Sequence, residues 1–190
     1  MTITDNFIDK FSAEEDEAIY DPSVEENKMV PEGTYPAHIT GLNIKRNITV
    51  RGKYLADIYV PTFTIAKEAN DASGMKVNDE NYGAGVFRFK KPDASSGLED
   101  RKGGGNVWYH DFVKYLGIEP EKKTTDSGNT IYRLPLLAEE DAIGKPVLIE
   151  VQHQKYKSAD GTEKSSVKAS VTGAWTEGSK IEVNDADLPF

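Results

Sequence analysis

Basic residues interleaved with aromatic ones recur in three places along this chain, a mixture suited to a polyanion built from flat units. The stretch "KRNITVRGKY" carries Lys45, Arg46, Arg51 and Lys53 ahead of Tyr54, and "VFRFKK" holds Arg88, Lys90 and Lys91 around Phe87 and Phe89. A third group, Lys155, Tyr156, Lys157, Lys164 and Lys168, falls near the C-terminal end of the folded part. Cations track phosphates, while rings stack on unpaired bases at roughly 1–3 kcal/mol per base without demanding a sequence. Neutralising several phosphates also makes binding fall steeply with salt. Side chains alternate along a strand, so Phe87 and Phe89 share one face and Arg88 and Lys90 the other. Either the rings or the cations face a groove there, not both. Any one ring is more often packing than platform; Tyr54 and Tyr156, beside basic loops, are the expected stackers. Trp108 and Trp175 are expected in the core.

The segment "RKGGGN" (101–106) sets two cations and three glycines before a helix start, where free amides can hold a phosphate. It lacks the GK[ST] ending of a nucleotide loop and reads first as a flexible surface loop. No GxSxG, HExxH or telling pair of carboxylates occurs, and Asp111 after His110 reads as an ordinary surface neighbour. The chain has no cysteine, which excludes disulfides, thiolate zinc sites and thiol nucleophiles. His38, His110 and His153 show no metal-ligand spacing. A binder rather than an enzyme is expected, with no metal and no cofactor.

Charge is distributed unevenly over the 190 residues. The formal net charge is −9, yet residues 1–32 hold −8 and residues 176–190 hold −3, leaving 33–175 at +2. A mildly basic body between two acidic tails is therefore expected. The apolar share of 37% and the charged share of 29% fit a modest core with solvated segments. No window supplies the ~18 apolar residues of a membrane span, and no basic-then-apolar signal opens the chain. A cytoplasmic protein without a membrane partner is the expectation.

These residues need elements to position them. Residues 1–32 read as an acidic arm, with Phe7, Ile8 and Phe11 at helical spacing and a capping box at Ser12–Glu15; a solvated linker is favoured over a partner-binding arm. Strands are predicted over 34–43, over 54–66 with a bend at Pro61, and over 82–91, where Gly83, Ala84 and Gly85 allow close backbone approach. The basic stretch between the first two, and 67–81, read as loops. Val107, Trp108, Phe112, Tyr115 and Leu116 recur at helical spacing between Asn106 as N-cap and Gly117 as stop. A short apolar piece at 130–138 follows. Two strands joined at Asp160-Gly161 form a hairpin, and residues 176–190 form an acidic tail.

Strand, strand, strand, helix, strand, strand is the chain order of an OB-fold, a partly open five-stranded Greek-key barrel. The expected fold is thus mainly β: an OB-fold-like domain over 33–175 between two acidic tails. The loops joining its first two and last two strands flank the binding face in that fold, and both are basic here.

The chain ends "NDADLPF". Asp185, Asp187, Leu188, Pro189 and Phe190 resemble the C-terminal tip of bacterial single-stranded DNA-binding proteins, an acidic run followed by Ile/Leu-Pro-Phe. Here Asn184 and Ala186 stand where that run has acids. Architecture and tail together resemble bacteriophage single-stranded DNA-binding proteins of the replication type, including those of T7-like phages. The resemblance implies coating of exposed single-stranded DNA during replication and recombination, frequent dimers, and location in the cytoplasm of an infected bacterial host. It also implies that the tail contacts DNA polymerase, primase-helicase or nuclease partners. The alternatives are a protein- or glycan-binding module or minor structural protein of similar build, and, more weakly, a mediator of strand annealing.

Overall fold

The computed structural model describes residues 29–78 and 85–176. In chain order they form β1 (Gly33–Val50), β2 (Tyr54–Ile65), β3 (Lys76–Val77), β4 (Val86–Phe89), α1 (Val107–Tyr115), β5 (Glu121–Thr124), β6 (Thr130–Arg133), α2 (Glu139–Ala142), β7 (Pro146–Lys157) and β8 (Glu163–Ala174). The protein is mainly β, and every ladder is antiparallel. The main sheet runs β3-β2-β1-β7-β8, with β4 also on β2; β5 and β6 form a separate two-stranded sheet. The outer edge of β2 is shared, β4 lying along Ala56–Tyr59 and β3 along Phe63–Thr64.

The long first strand spans both halves of the sheet. Residues 33–38 pair with β7 and residues 37–50 with β2. Two register shifts break the β1–β2 ladder, one between Ile39 and Gly41 and one between Lys45 and Ile48. An extra residue on one strand bends it and increases its twist, and these two shifts let one strand serve two neighbours. The chain then reverses through Arg51 and Gly52, both left-handed (φ 52° and 67°), and Lys53 N–H donates to the Val50 carbonyl at 3.0 Å.

The core lies between the sheet and α1. Ile39, Leu42, Tyr59, Phe63, Ile149 and Val151 of the strands pack with Tyr109, Phe112, Val113 and Leu116 of the helix. Each fully buried side chain of this size contributes about 1.5–3 kcal/mol. Val30, ahead of β1, is also buried; its carbonyl faces His153 Nε2 at 2.7 Å, and the Glu32 carboxylate accepts from His153 N–H at 2.8 Å. Residues 29–32 are thus fastened to β7.

Two of the strands at the sheet's edges, β4 and β8, are each clasped by an asparagine side chain. Asn106 accepts from Phe89 N–H at 2.7 Å and donates to the Phe89 carbonyl at 3.1 Å. Asn78 accepts from Ala169 N–H at 2.8 Å and donates to the Ala169 carbonyl at 2.5 Å. An amide side chain used this way satisfies two backbone groups as a neighbouring strand would. Among the described residues no ladder joins β4 to β8, and a cleft opens between them.

Several expectations change. The first strand does not stop at residue 43; it continues to Val50 through the basic stretch read as a loop. The segment 118–133 contains a hairpin whose eight strand residues are all exposed, so it carries no apolar alternation to detect. Asn106 occupies the N-cap position but makes no side-chain cap bond, because its amide is spent on Phe89. Trp175 is buried as expected, whereas Trp108 is 74% exposed. The buried helical stripe begins one residue later, at Tyr109. The predicted strand at 82–91 is described only from Gly85 onward, where β4 follows; a Cβ on Gly85 would collide with Ile58, the close approach its neighbours suggested. The arm residues 1–28 and the tail residues 177–190, with Asp185, Asp187, Leu188, Pro189 and Phe190, lie outside the described residues.

Candidate nucleic-acid interface

A carboxylate organises the basic end of the sheet. Asp57 is fully buried on β2, with Lys90 Nζ at 2.7 Å, Arg88 Nη1 at 3.4 Å and Arg46 Nη1 at 3.6 Å. The β1 register shift explains its fourth partner. Arg46 and Asn47 together oppose Asp57, and Asn47, left-handed at φ 56°, aims its N–H at Asp57 Oδ1 at 2.9 Å. Asparagine is among the few residues that tolerate this conformation. Burial pushes the Asp57 carboxyl up. Hydrogen bonds from Lys90 and the Asn47 N–H, with the charges of Lys90 and Arg46, outweigh that and hold it below the usual carboxylate range.

The same cations fix the chain that follows β6. Arg46 donates to the Leu137 carbonyl at 2.9 Å and to the Tyr59 hydroxyl at 3.0 Å, and Arg88 donates to the Leu134 carbonyl at 3.3 Å. Tyr109 adds a bond to the Pro135 carbonyl at 2.9 Å. Burial pushes the Tyr109 phenol well above its ordinary pKa, and the hydrogen bond and charge of neighbouring Tyr59 add to this. Three side chains from three elements thus hold residues 134–137, and with them the β5–β6 hairpin, beside β4.

The glycine loop forms the opposite wall. Glu99 N–H donates to the Lys53 carbonyl at 2.8 Å, and Lys53 Nζ lies 3.7 Å from the Glu99 carboxylate. Arg101 lies over Phe89 at 4.2 Å and over Tyr54 at 4.9 Å. Such contacts contribute about 0.5–1 kcal/mol when exposed. Gly105, left-handed at φ 81°, suits that position, and a Cβ there would stand 2.6 Å from the Arg101 guanidinium carbon and displace it.

Between these walls runs an open groove of about 940 Å³. Arg88, Lys90, Lys91, Arg101, Lys102 and Arg133 line it, against one acid, Asp100. Phe89, His110 and Tyr132 supply rings; His110 and Tyr132 sit 4.9 Å apart, and His110 Nδ1 lies 3.0 Å from Asp111. Among the described residues no His/Cys/Asp/Glu group could hold a metal ion, and no helix is long and apolar enough to cross a membrane. The arrangement can bind a chain of phosphates and offer rings at one side.

The residues expected from sequence divide into two groups. Arg88, Lys90 and Lys91 line the groove, with Arg46 behind them on Asp57. Lys45, Arg51, Lys53 and Tyr54 lie at the adjoining end of β1 and start of β2, with Arg101 over the half-buried Tyr54 ring. Lys155, Tyr156, Lys157 and Lys164 are exposed on the β7–β8 ribbon. By register, that ribbon projects past Gly33, the opposite end of β1 from the Arg51–Gly52 turn. These four do not line the groove, and Lys168 lines the β4–β8 cleft instead.

The alternation on β4 is resolved by the surroundings: Arg88 reaches Asp57 while Phe89 meets Arg101, and both border the groove. The local sequence pattern marks neither Tyr132 nor Arg133 as a site residue, and helical spacing alone places Trp108 in the core, where the structure leaves it exposed. An acid inside an otherwise apolar strand, "YLADIYV", was the available signal for Asp57. No family model, curated protein or solved structure matches the chain.

Proposed function

We propose that this chain binds single-stranded DNA without sequence preference, using the groove between β4, the 99–106 loop and the β5–β6 hairpin. The observation that carries the reading is the groove's composition: six cations to one acid, with rings at its edge. That is the combination that tracks phosphates and tolerates any base. The strand arrangement supports it. With β1, β2, β4, β7 and β8 as the five strands, the order β4-β2-β1-β7-β8 and α1 between the third and fourth follow the OB-fold plan, and the Asn78 clasp on β8 helps draw the sheet round.

In this reading the protein coats exposed strands during phage DNA replication and recombination, as a monomer or homodimer in the host cytoplasm. The acidic tail, through Asp185, Asp187, Leu188, Pro189 and Phe190, recruits a polymerase, primase-helicase or nuclease and competes with DNA for the cationic surface. Tethering makes that competition persistent even where the contact is weak.

The test is titration of the full chain with an oligothymidine strand and with duplex DNA at low and moderate salt, with a 177–190 deletion alongside. The expected result is preference for the strand and a log–log salt slope of about −0.7 per phosphate neutralised. Tighter strand binding is expected after the deletion. Absence of binding by both proteins at low salt would overturn the reading and favour a protein- or glycan-binding module.

A further inference from the structure

The cleft between the open edges of β4 and β8 has two unlike walls. One is aromatic: Phe87 and Phe89 from β4 and Trp108 from the first turn of α1. The other is mainly polar: Lys168, Ser170 and Thr172 of β8 with Val171 among them, and Glu150 of β7 in register with Ser170. Thr172 is the extra residue of β8 where Ile149 pairs with Val171 and Leu148 with Gly173, so the strand departs from regular pairing at this wall. The cleft holds about 380 Å³, within the ~300–1,000 Å³ of small-ligand sites. Trp108, 74% exposed, is the most exposed large apolar side chain recorded among the described residues.

A wall of rings facing a wall of donors and acceptors fits a ligand with a flat π-face and a hydrogen-bonding edge. An unpaired nucleobase has both. A second protein copy packed against the cleft would have to cover an ammonium, a carboxylate and two hydroxyls, groups that are costly to bury unpaired. The cleft also adjoins the basic groove: Phe89 lines both, and the loop from Arg101 to Gly105 runs from one to the other. A strand whose phosphates follow the groove cations is thereby led to the cleft.

We infer that this cleft is a base-binding subsite in which Trp108 stacks on an unpaired base of the strand and the β8 wall meets its polar edge. The inference rests on the single-strand reading above and adds to it a specific stacking residue on the helix, away from Tyr54 and Tyr156.

The experiment uses the full chain with Trp175→Phe, which leaves Trp108 as the sole indole, titrated with oligothymidine and with an abasic strand of equal length. Binding is followed by anisotropy of the strand and, separately, by Trp108 emission. Oligothymidine is expected to quench Trp108, whereas the abasic strand, with its phosphates intact, binds more weakly and leaves the emission unchanged. Trp108→Ala in the otherwise natural chain is expected to weaken oligothymidine binding between about fivefold and a hundredfold. Its salt slope should be unchanged, because stacking releases no counterions. Trp108 is exposed, so its removal should leave the melting temperature in place.

Strand binding with unmoved Trp108 emission and an unaffected Trp108→Ala variant would overturn the subsite while leaving the groove reading intact. Failure of any strand to bind would overturn both. Trp108 emission that shifts with protein concentration alone, with a Trp108→Ala variant that loses a dimer, would make the cleft an interface between copies and overturn the inference.

Discussion

Around Asp57 three cations from β1, β4 and the residue after β4 converge on one buried carboxylate. Along the β7–β8 ribbon, Lys155, Lys157 and Lys164 stand exposed on a two-stranded projection. Both regions are basic, and in sequence they look alike. They differ in what organises the charge. At the groove, Arg46, Arg88 and Lys90 are held by Asp57, by backbone carbonyls and by Tyr59, so less side-chain freedom remains to be lost when a ligand arrives. The same carboxylate offsets part of their charge. Much of the field left in the groove therefore comes from exposed Lys91, Lys102 and Arg133, the last partly offset by the Glu121 carboxylate at 3.8 Å, with the Asp57 group acting as the scaffold. On the ribbon each lysine loses up to about 2 kcal/mol of rotamer freedom if it is fixed by a phosphate.

The largest expected effect tests the scaffold. Asp57→Asn leaves its partly buried cations without their carboxylate, a loss of about 1–3 kcal/mol in stability. Urea unfolding at pH 7 measures it. Because the folded pKa of Asp57 is depressed, its contribution is complete above the unfolded value of about 3.9 and is lost as pH falls through the folded value. The gap between natural and substituted chains should be full at pH 7 and close below about pH 4. Equal stability at neutral pH would mean that the cations are organised without Asp57.

The second effect sets one region directly against the other. Lys91→Ala, Lys102→Ala and Arg133→Ala combined should reduce the magnitude of the log–log salt slope for oligothymidine by about 2, three contacts at about 0.7 each. The combined Lys155→Ala, Lys157→Ala and Lys164→Ala chain should change it by less than about 1. The reverse ranking would move the interface to the ribbon.

The smallest effect sharpens how the groove wall is held. Gly105→Ala forces a side chain into a left-handed position at a cost of about 1–2 kcal/mol and pushes Arg101 off Phe89 and Tyr54. Thermal unfolding should show the loss, and aromatic proton shifts of Phe89 should show the displaced guanidinium. A melting temperature and shifts identical to the natural chain would mean that the loop does not hold Arg101 there.

How much was legible follows from which signals are local. The β7–β8 hairpin was readable because its two strand-like runs are joined at Asp160-Gly161, and the turn closes through Ser158 N–H on the Thr162 carbonyl at 2.9 Å, with Gly161 at φ 84°. The helix ends where Gly117 turns left-handed at φ 80°. By contrast, the second half of β1 and the whole β5–β6 hairpin are strands dominated by exposed residues. The hairpin has no buried face to set a period, and in β1 the extra residue at Arg46–Asn47 breaks the alternation of Leu42 and Ile44 with Ile48 and Val50.

The sequence alone determined the mainly β build, the positions of the principal turns and the helix, and the concentration of cations and rings in 33–175. These depend on backbone preference and on side-chain alternation within a few residues. Only the tertiary structure decided which cations meet. Asp57 lies 31 residues from Arg88, and Leu137 lies 91 from Arg46. Such contacts form because the β1 register shift, the β2–β4 ladder and the chain after β6 bring distant groups around one buried charge. A carboxylate taken out of water must gather whatever partners the fold can deliver, and no spacing in the sequence records which ones those are.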